Sequence, residues 1–146
     1  MDADVALSFQ EVYRYSVAGC IIRPDPFSGE TLEQFVRLEQ YVLVQTSFDL
    51  SYKIGAGTDG FGFFEGIDHV LKVTFMPGQT EVSFSIAIIT RVGRQIGAIL
   101  PQDEPEGLRK IGRGLVSVKM VELCERFQHN GSTMLRSVEL LHHLPQ

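Results

Sequence analysis

The chain has 146 residues, of which 44% are hydrophobic and 21% charged, so it is not a disordered chain and can bury a core without disulfides or a metal ion. The formal net charge of −5 argues against nucleic acid as a partner. No apolar run is long enough for a transmembrane helix and no signal peptide is evident, so we expect no membrane partner and, by default, a cytoplasmic location.

Alternation of apolar and polar residues along most of the chain predicts β-strands. In chain order, the first strands are expected over 12–22, 41–46 and 47–54. One short helix is expected near 31–39, where Thr31 to Gln34 resembles a capping box, although a strand that starts at Gln34 competes with it. The predicted fold is all-β, a single antiparallel β-sandwich domain over residues 1–146.

The segment 67–90 carries the clearest strand pattern, with two alternating runs on either side of Pro77-Gly78. A two-residue loop there would pair the runs as a hairpin with both apolar sets on one face. The expected partners are Val73 with Val82, Leu71 with Phe84, and His69 with Ile86. We expect Val73, Phe84 and Ile86 to be buried across this hairpin. Because Pro-Gly favours a type II turn, whose twist fits a hairpin poorly, a longer loop stays open as an alternative.

The C-terminal third fits two interpretations. Residues 94–100 and 115–124 have the composition of strands. Asn130-Gly131 is a strong type I′ turn signal, which predicts a hairpin between 115–127 and 133–141. Apolar residues in the same two segments also fit the spacing of helices. We predict the hairpin, because the turn signal is the more specific of the two.

The charged residues that follow residue 100 form two successive clusters of opposite sign. Acidic residues come first and basic residues follow, namely Asp103, Glu104 and Glu106, then Arg109, Lys110 and Arg113. An acidic loop beside a basic cluster is typical of local neutralisation on a solvated surface. The alternative is that oppositely charged faces support head-to-tail association of copies.

A predicted loop over residues 55–66 combines five glycines with three phenylalanines, Phe61, Phe63 and Phe64. Glycines permit unusual backbone angles, whereas phenylalanine rings prefer burial. The rings are therefore expected either to cap one end of the sandwich or to form an apolar contact for a partner. We predict Phe61, Phe63 and Phe64 as the partner-binding residues, with another protein or a second copy as the partner.

The same region contains titratable side chains that could bind a ligand or act in catalysis. Asp59, Glu65 and His69 are the candidate lining of a small-ligand or catalytic pocket beside the loop. Their spacing does not match a calcium-binding EF-hand loop, and the glycine pattern from Gly55 to Gly60 is not followed by the helix that a dinucleotide site needs. The sequence therefore predicts no metal ion, no cofactor and no catalytic residues.

Residues 51–90 resemble the central part of a Calx-beta domain. The resemblance rests on Gly57-Thr58-Asp59, on the run from Val73 through Phe75 to Pro77-Gly78, and on the alternating strand that follows. It implies a seven-stranded, Ig-like sandwich of a kind used in calcium binding and cell adhesion. The family places acidic residues where this chain has Thr90-Arg91, so the resemblance does not extend to calcium binding.

Taken together, these patterns predict a non-enzymatic protein-interaction, adhesion or structural module that uses loops or sheet edges. The alternative is a small-ligand-binding protein or an enzyme with its pocket beside the loop 55–66. A pocket that joins His69 to Asp59 or Glu65 would favour the alternative, and an exposed edge strand would favour the interaction module.

Overall fold

The structure, a computed structural model, describes residues 3–22, 36–45 and 50–145. It contains two sheets, mostly antiparallel, with 41% strand and a few short helices, which confirms the predicted antiparallel β architecture in its coarse form. The chain forms two compact units. The first comprises Met1–Tyr52 and Ser85–Asp103, and the second comprises Lys53–Phe84 and Glu104–Gln146. The single sandwich domain stays a prediction.

The first unit holds most of the four-stranded sheet with the order β1-β6-β2, in which β3 also pairs with β6. Its strands are β1 (Cys20–Ile22), β2 (Val44–Gln45), β3 (Ser51–Gly55) and β6 (Glu81–Ile89). The helices of this unit are α1 (Ala3–Arg14), the helical residues 36–40 (α2) and α3 (Arg91–Gly97).

Helix α1 extends to Arg14 and β1 begins only at Cys20. The strand predicted over 12–22 is therefore wrong for residues 12–19, where Val17 forms only an isolated bridge to Cys20, and is confirmed for 20–22. Val5, Phe9 and Val12 lie at helical spacing and are buried on one face of α1. They pack in a core cluster with Leu38, Leu43, Val44, Ala87 and Ile89. The helix predicted near 31–39 is confirmed over the described residues 36–39. Residues 31–35, like 46–49 of the predicted strands, lie outside the described residues.

Helix α3 replaces the strand predicted over 94–100, which is therefore wrong. Thr90 is the N-cap, and its hydroxyl oxygen accepts a hydrogen bond from the N–H of Gly93 at 3.0 Å. The buried face of α3 consists of Gly93 and Gly97, while Val92 and Ile96 point outward with 43% and 40% of their surface exposed. The helix thus approaches the core through glycines, which alternation of apolar residues cannot indicate.

The second unit is a four-stranded antiparallel sheet with one helix against it. The strands lie in the order β4-β5-β7-β8, namely β4 (Phe61–Glu65), β5 (His69–Thr74), β7 (Met120–His129) and β8 (Ser132–His143). Helix α4 (Glu104–Gly114) buries Leu108 and Ile111. At Gly112 it approaches Leu71, Val121 and Leu141 so closely that a Cβ atom there would lie within 3.2 Å of each side chain. Helix α4 therefore lies across β5, β7 and β8.

The predicted Asn130-Gly131 hairpin is confirmed by strands β7 and β8. Both turn residues have positive φ, 50° at Asn130 and 78° at Gly131, as a type I′ turn requires. Pairing begins directly at the turn, with His129 opposite Ser132. The helical interpretation of these two segments is wrong, because they pair as antiparallel strands from the turn onward, in a ladder with two register shifts.

The hairpin predicted across Pro77-Gly78 is wrong, although both of its strands exist. Strand β5 pairs with β4 and β7, while β6 pairs with β1, β2 and β3, so none of the three expected residue pairs forms. Gly78 has φ of 86° and the N–H of Gln79 donates to the carbonyl of Met76 at 3.0 Å, which is a type II turn. Val73 and Ile86 are buried as predicted and Phe84 is half-buried, each without the predicted partner.

Two further features concern the loop predictions. The segment 55–66 is not one loop, because Phe61–Glu65 forms β4. The acidic loop is not a loop either, because Glu104 starts α4. Glu106 lies 3.3 Å from Arg109 and 3.8 Å from Arg113, as local neutralisation predicts.

Within the described part of the chain, no helix has the length and hydropathy needed to cross a membrane.

Candidate functional site

The structure does not join the three candidate pocket residues into one site. Asp59 precedes β4, where its Oδ1 accepts a hydrogen bond from the N–H of Phe61 at 3.1 Å. Glu65 lies at the opposite end of β4, with Oε1 3.5 Å from Nη2 of Arg126. His69 begins β5, and its Nδ1 lies 3.2 Å from Oε1 of Glu104. Asp59 and Glu65 are separated by the length of a five-residue strand, so they cannot line one small pocket together.

Glu104 is the residue that sequence reasoning missed, and it organises the turn between β4 and β5. Its Oε2 accepts a hydrogen bond from the N–H of Ile67 at 2.7 Å. Its Oε1 accepts from the N–H of Asp68 at 3.0 Å and from that of His69 at 2.8 Å. The one signal in the sequence was Pro105 among acidic residues, a pattern typical of the first turn of a helix.

Arg126 holds the same turn through its carbonyl groups. Its Nη1 donates to the carbonyl of Gly66 at 3.1 Å and to that of Ile67 at 2.9 Å. Gly66 is needed because a Cβ atom there would lie 2.6 Å from Cδ of Glu104. The Glu104 carboxylate thus accepts from three N–H groups of the turn, and the Arg126 guanidinium donates to two of its carbonyl groups. The backbone of β7 adds one more bond, from the N–H of Arg126 to the carbonyl of Asp68 at 2.9 Å.

The ionisation of Glu104 depends on this geometry. Burial is the largest single influence and raises the pKa of the carboxyl, but the hydrogen bonds from the three backbone amides and from His69 together outweigh it and lower the pKa below the ordinary 4.5. The carboxylate is therefore the form that the folded turn stabilises. Its acceptor positions are filled by the chain itself, which makes Glu104 a structural anchor rather than a free acid or base.

We expect Glu104→Gln to destabilise the fold at neutral pH by about 1.5–3 kcal/mol, the range for hydrogen bonds to a charged group. Because folding lowers the pKa of Glu104, its contribution is complete above the ordinary pKa of 4.5 and is lost as the pH falls through the lower folded value. The difference between wild type and variant, measured by urea unfolding, should therefore shrink in acid.

The matched control is Glu65→Gln, which changes a carboxylate beside the same turn. Its side chain is 70% exposed and 3.5 Å from Arg126, so the loss should stay within about 0.5 kcal/mol. Equal losses for the two variants, or a Glu104→Gln loss that does not change between neutral and acidic pH, would contradict the anchoring role.

The described residues form neither a metal site nor a reactive thiol. Across residues 3–22, 36–45 and 50–145, no group of three His, Cys, Asp or Glu side chains is placed to hold a metal ion. Cys20 and Cys124 are both free thiols. Burial raises the pKa of each thiol, whereas a reactive cysteine needs a lowered one. The arrangement thus offers neither thiol as an activated nucleophile.

The three phenylalanines predicted as partner contacts have different environments on β4. Phe64 is 1% exposed and packs edge-on against Phe84, with ring centroids 5.5 Å apart. Phe63, which directly precedes Phe64, is 41% exposed. Phe61 is half-buried beneath Lys72, whose Nζ lies 4.1 Å from the ring centroid. Burial assigns the Phe64 ring to the core, and partner binding by Phe61 and Phe63 stays a prediction.

Strand β8 forms a surface that the sequence analysis did not identify. It is 12 residues long and is the last strand in the order β4-β5-β7-β8. Among the described residues, no other strand pairs with its outer edge. Four large apolar side chains are exposed along it: Met134 (45%), Leu135 (40%), Val138 (51%) and Leu140 (57%). Position in a sheet cannot be read from a single strand's sequence, which is why this edge was missed.

Comparison of the chain with protein-family models, with curated proteins and with solved structures returned no match.

Proposed function

We propose that this chain is a non-enzymatic protein-interaction module that binds an extended polypeptide strand along the outer edge of β8. The observation that carries the proposal is a 12-residue edge strand with four large exposed apolar side chains. An edge of this length and composition leaves backbone N–H and C=O groups in position to accept another strand, and natural proteins usually avoid it unless it is used.

Strand addition explains both the backbone and the side chains of this edge. Main-chain hydrogen bonds from an added strand would supply affinity, and contacts with alternate side chains would supply specificity. The turn that starts β8 and the ladder with β7 hold the edge in an extended conformation before binding. The module therefore pays little ordering entropy when a strand binds.

The opposite edge of the same sheet supports binding less strongly. Strand β4 has five residues, and only Phe63 among its large apolar side chains is exposed. Phe61 and Phe63 remain proposed contacts for a partner that reaches that edge. The resemblance of residues 51–90 to a Calx-beta domain, and the Ig-like sandwich that it implies, likewise remain proposals about the fold.

The pocket alternative receives no support from a specific contact. His69 does have a carboxylate partner, but that partner is Glu104, whose oxygens accept the backbone hydrogen bonds of the turn. Asp59 and Glu65 have their own partners at opposite ends of β4. These side chains support the turns of the sheet that presents β8.

The proposal can be tested with a fluorescent peptide that has the sequence of residues 132–143. We expect the peptide to bind the wild-type protein in an anisotropy titration, because it can extend the sheet beyond β8. Replacing Leu135 and Leu140 together with Lys should weaken binding by about tenfold or more, since charges on an edge oppose strand addition.

The matched control is Ile99→Lys, which introduces the same charge at a side chain that is 91% exposed and lies outside β8. This variant should bind the peptide as the wild type does. A scrambled peptide should bind neither. The proposal is wrong if the wild type does not bind the peptide, or if Ile99→Lys weakens binding as much as the double substitution does.

A further inference from the structure

We infer that the strand taken up at this edge is β8 of a second copy, in an antiparallel two-fold pair centred between Ser137 and Val138. The inference rests on the proposed function and names the partner for it. It follows from the register of β8 against β7, which decides the face of the sheet that each β8 side chain occupies.

One face of β8 lies on the side of the sheet against which α4 packs. Val121 and Leu141 both approach Gly112 of α4. Leu123, two residues beyond Val121, opposes Glu139, whose Oε2 accepts a hydrogen bond from Nε of Arg109 in α4 at 2.7 Å. Residues that oppose one another share a face. On this criterion the α4 side includes Met134 opposite Phe127, Arg136 opposite Glu125, and Glu139 opposite Leu123. Leu141 has no partner in the ladder, which shifts a second time between Val121 and Glu122, and its contact with Gly112 places it on the same side.

The other face carries Leu135 and Leu140. Leu135 opposes Arg126 and Leu140 opposes Glu122 in the ladder with β7. Successive residues of a regular strand alternate between faces, so residues five apart would normally point to opposite sides. Leu135 and Leu140 share a face because the ladder shifts at Val138, between the pairs Leu123–Glu139 and Cys124–Ser137.

This shift makes the segment 134–141 symmetric about its centre. In the two-fold pair, Arg136 of one copy opposes Glu139 of the other on the α4 side, and this happens twice. Leu135 opposes Leu140 on the other face, and Met134 opposes Leu141 on the α4 side. Opposite charges and apolar pairs therefore meet on the correct faces at every one of these positions, which is the self-complementarity that a two-fold interface requires.

A bulge usually opposes edge pairing, because one strand then has a residue more than its partner. In the proposed pair Val138 of each copy opposes Ser137 of the other, so both strands have two residues between the flanking Arg136–Glu139 pairs and the count is equal. Arg136 is already paired with Glu125, and Glu139 with Arg109. The two copies would join these pairs into rows of alternating charge.

Charge reversal tests the register directly. Arg136→Glu places only negative charges at the two positions, and Glu139→Arg places only positive charges there, so each variant repels its own second copy. Mixed together, the two variants oppose Glu with Arg at every position. We expect wild-type protein to sediment at twice the 16.3 kDa chain mass at high concentration, each variant alone at the single mass, and the mixture at twice the mass.

The outcomes separate this inference from the proposed function. A wild type that remains at the single mass while it binds the 132–143 peptide overturns the two-fold pair and leaves strand addition standing. A wild type that does neither overturns both. A mixture that stays at the single mass, with both variants folded by circular dichroism and urea unfolding, rejects this register. Retention of the wild-type dimer by Ile99→Lys, together with its loss when Leu135 and Leu140 are both Lys, confirms the edge.

Discussion

Phe64→Ala should lower the free energy of unfolding by about 3–5 kcal/mol, the largest loss that we expect from a single truncation in this protein. The Phe64 ring is 1% exposed and packs edge-on against Phe84 at a centroid distance of 5.5 Å. Removing it takes away the transfer free energy of a buried ring and leaves a cavity that the surrounding structure closes only in part. Urea unfolding with a constant m-value would measure the loss.

The neighbouring Phe63→Ala is the matched control, because it removes the same ring from the same strand. Phe63 is 41% exposed, so its truncation should cost less than about 1 kcal/mol. Successive residues of a strand face opposite sides, and a slip of one residue in the pairing of β4 would exchange the two results. Equal losses, or a larger loss for Phe63→Ala, would contradict the register of Phe64 opposite Leu71.

Gly93→Ala should destabilise the protein by about 3 kcal/mol, at the upper end of the usual range for overpacking. A Cβ atom at Gly93 would lie 2.3 Å from the carbonyl oxygen of Leu43 and 2.8 Å from Cγ2 of Ile89. The nearer atom belongs to the backbone, which cannot rotate away as a side chain can. The helix would have to shift off the core, and thermal or urea unfolding would report it.

Gly114→Ala provides the control for this substitution. Gly114 is the last residue of α4 and has nothing within 4 Å of the added Cβ atom. An alanine that fits without strain reduces the freedom of the unfolded chain, so the expected effect lies between zero and a gain of about 1 kcal/mol. A loss at Gly114 comparable to that at Gly93 would contradict close approach as the cause, because alanine has the higher helix propensity and meets no atom within 4 Å at Gly114.

Local signals predicted part of the fold correctly. The Asn130-Gly131 turn led to the β7–β8 hairpin, because a type I′ turn both reverses the chain and sets the register of the strands beside it. The segments of β5 and β6 were recognised by alternation. Their pairing was not, since the type II turn at Pro77-Gly78 directs them into different sheets. Alternation of apolar and polar residues shows that a strand has one apolar and one polar face. It does not show which other strand pairs with it.

The candidate site was predicted only in its residue types. His69 was named as candidate pocket lining together with Asp59 and Glu65, but the carboxylate that it contacts belongs to Glu104, 35 positions further along the chain. Contact over that distance depends on how α4 packs against the sheet. The phenylalanines were recognised as a group, and only the register of β4 decided that Phe64 is buried while Phe63 is exposed.

The sequence by itself therefore determined the antiparallel strands, the type I′ hairpin and the residues with chemistry, because each depends on neighbours within a few positions. Tertiary structure alone decided that α3 packs on the core through glycines. Helix α1 did have a local signal, the helical spacing of Val5, Phe9 and Val12, which was missed in a chain dominated by alternation. Tertiary structure also decided that β8 is the outer strand of its sheet. Strand order and close approach are properties of contacts between distant segments, and a local pattern of residue types contains no record of them.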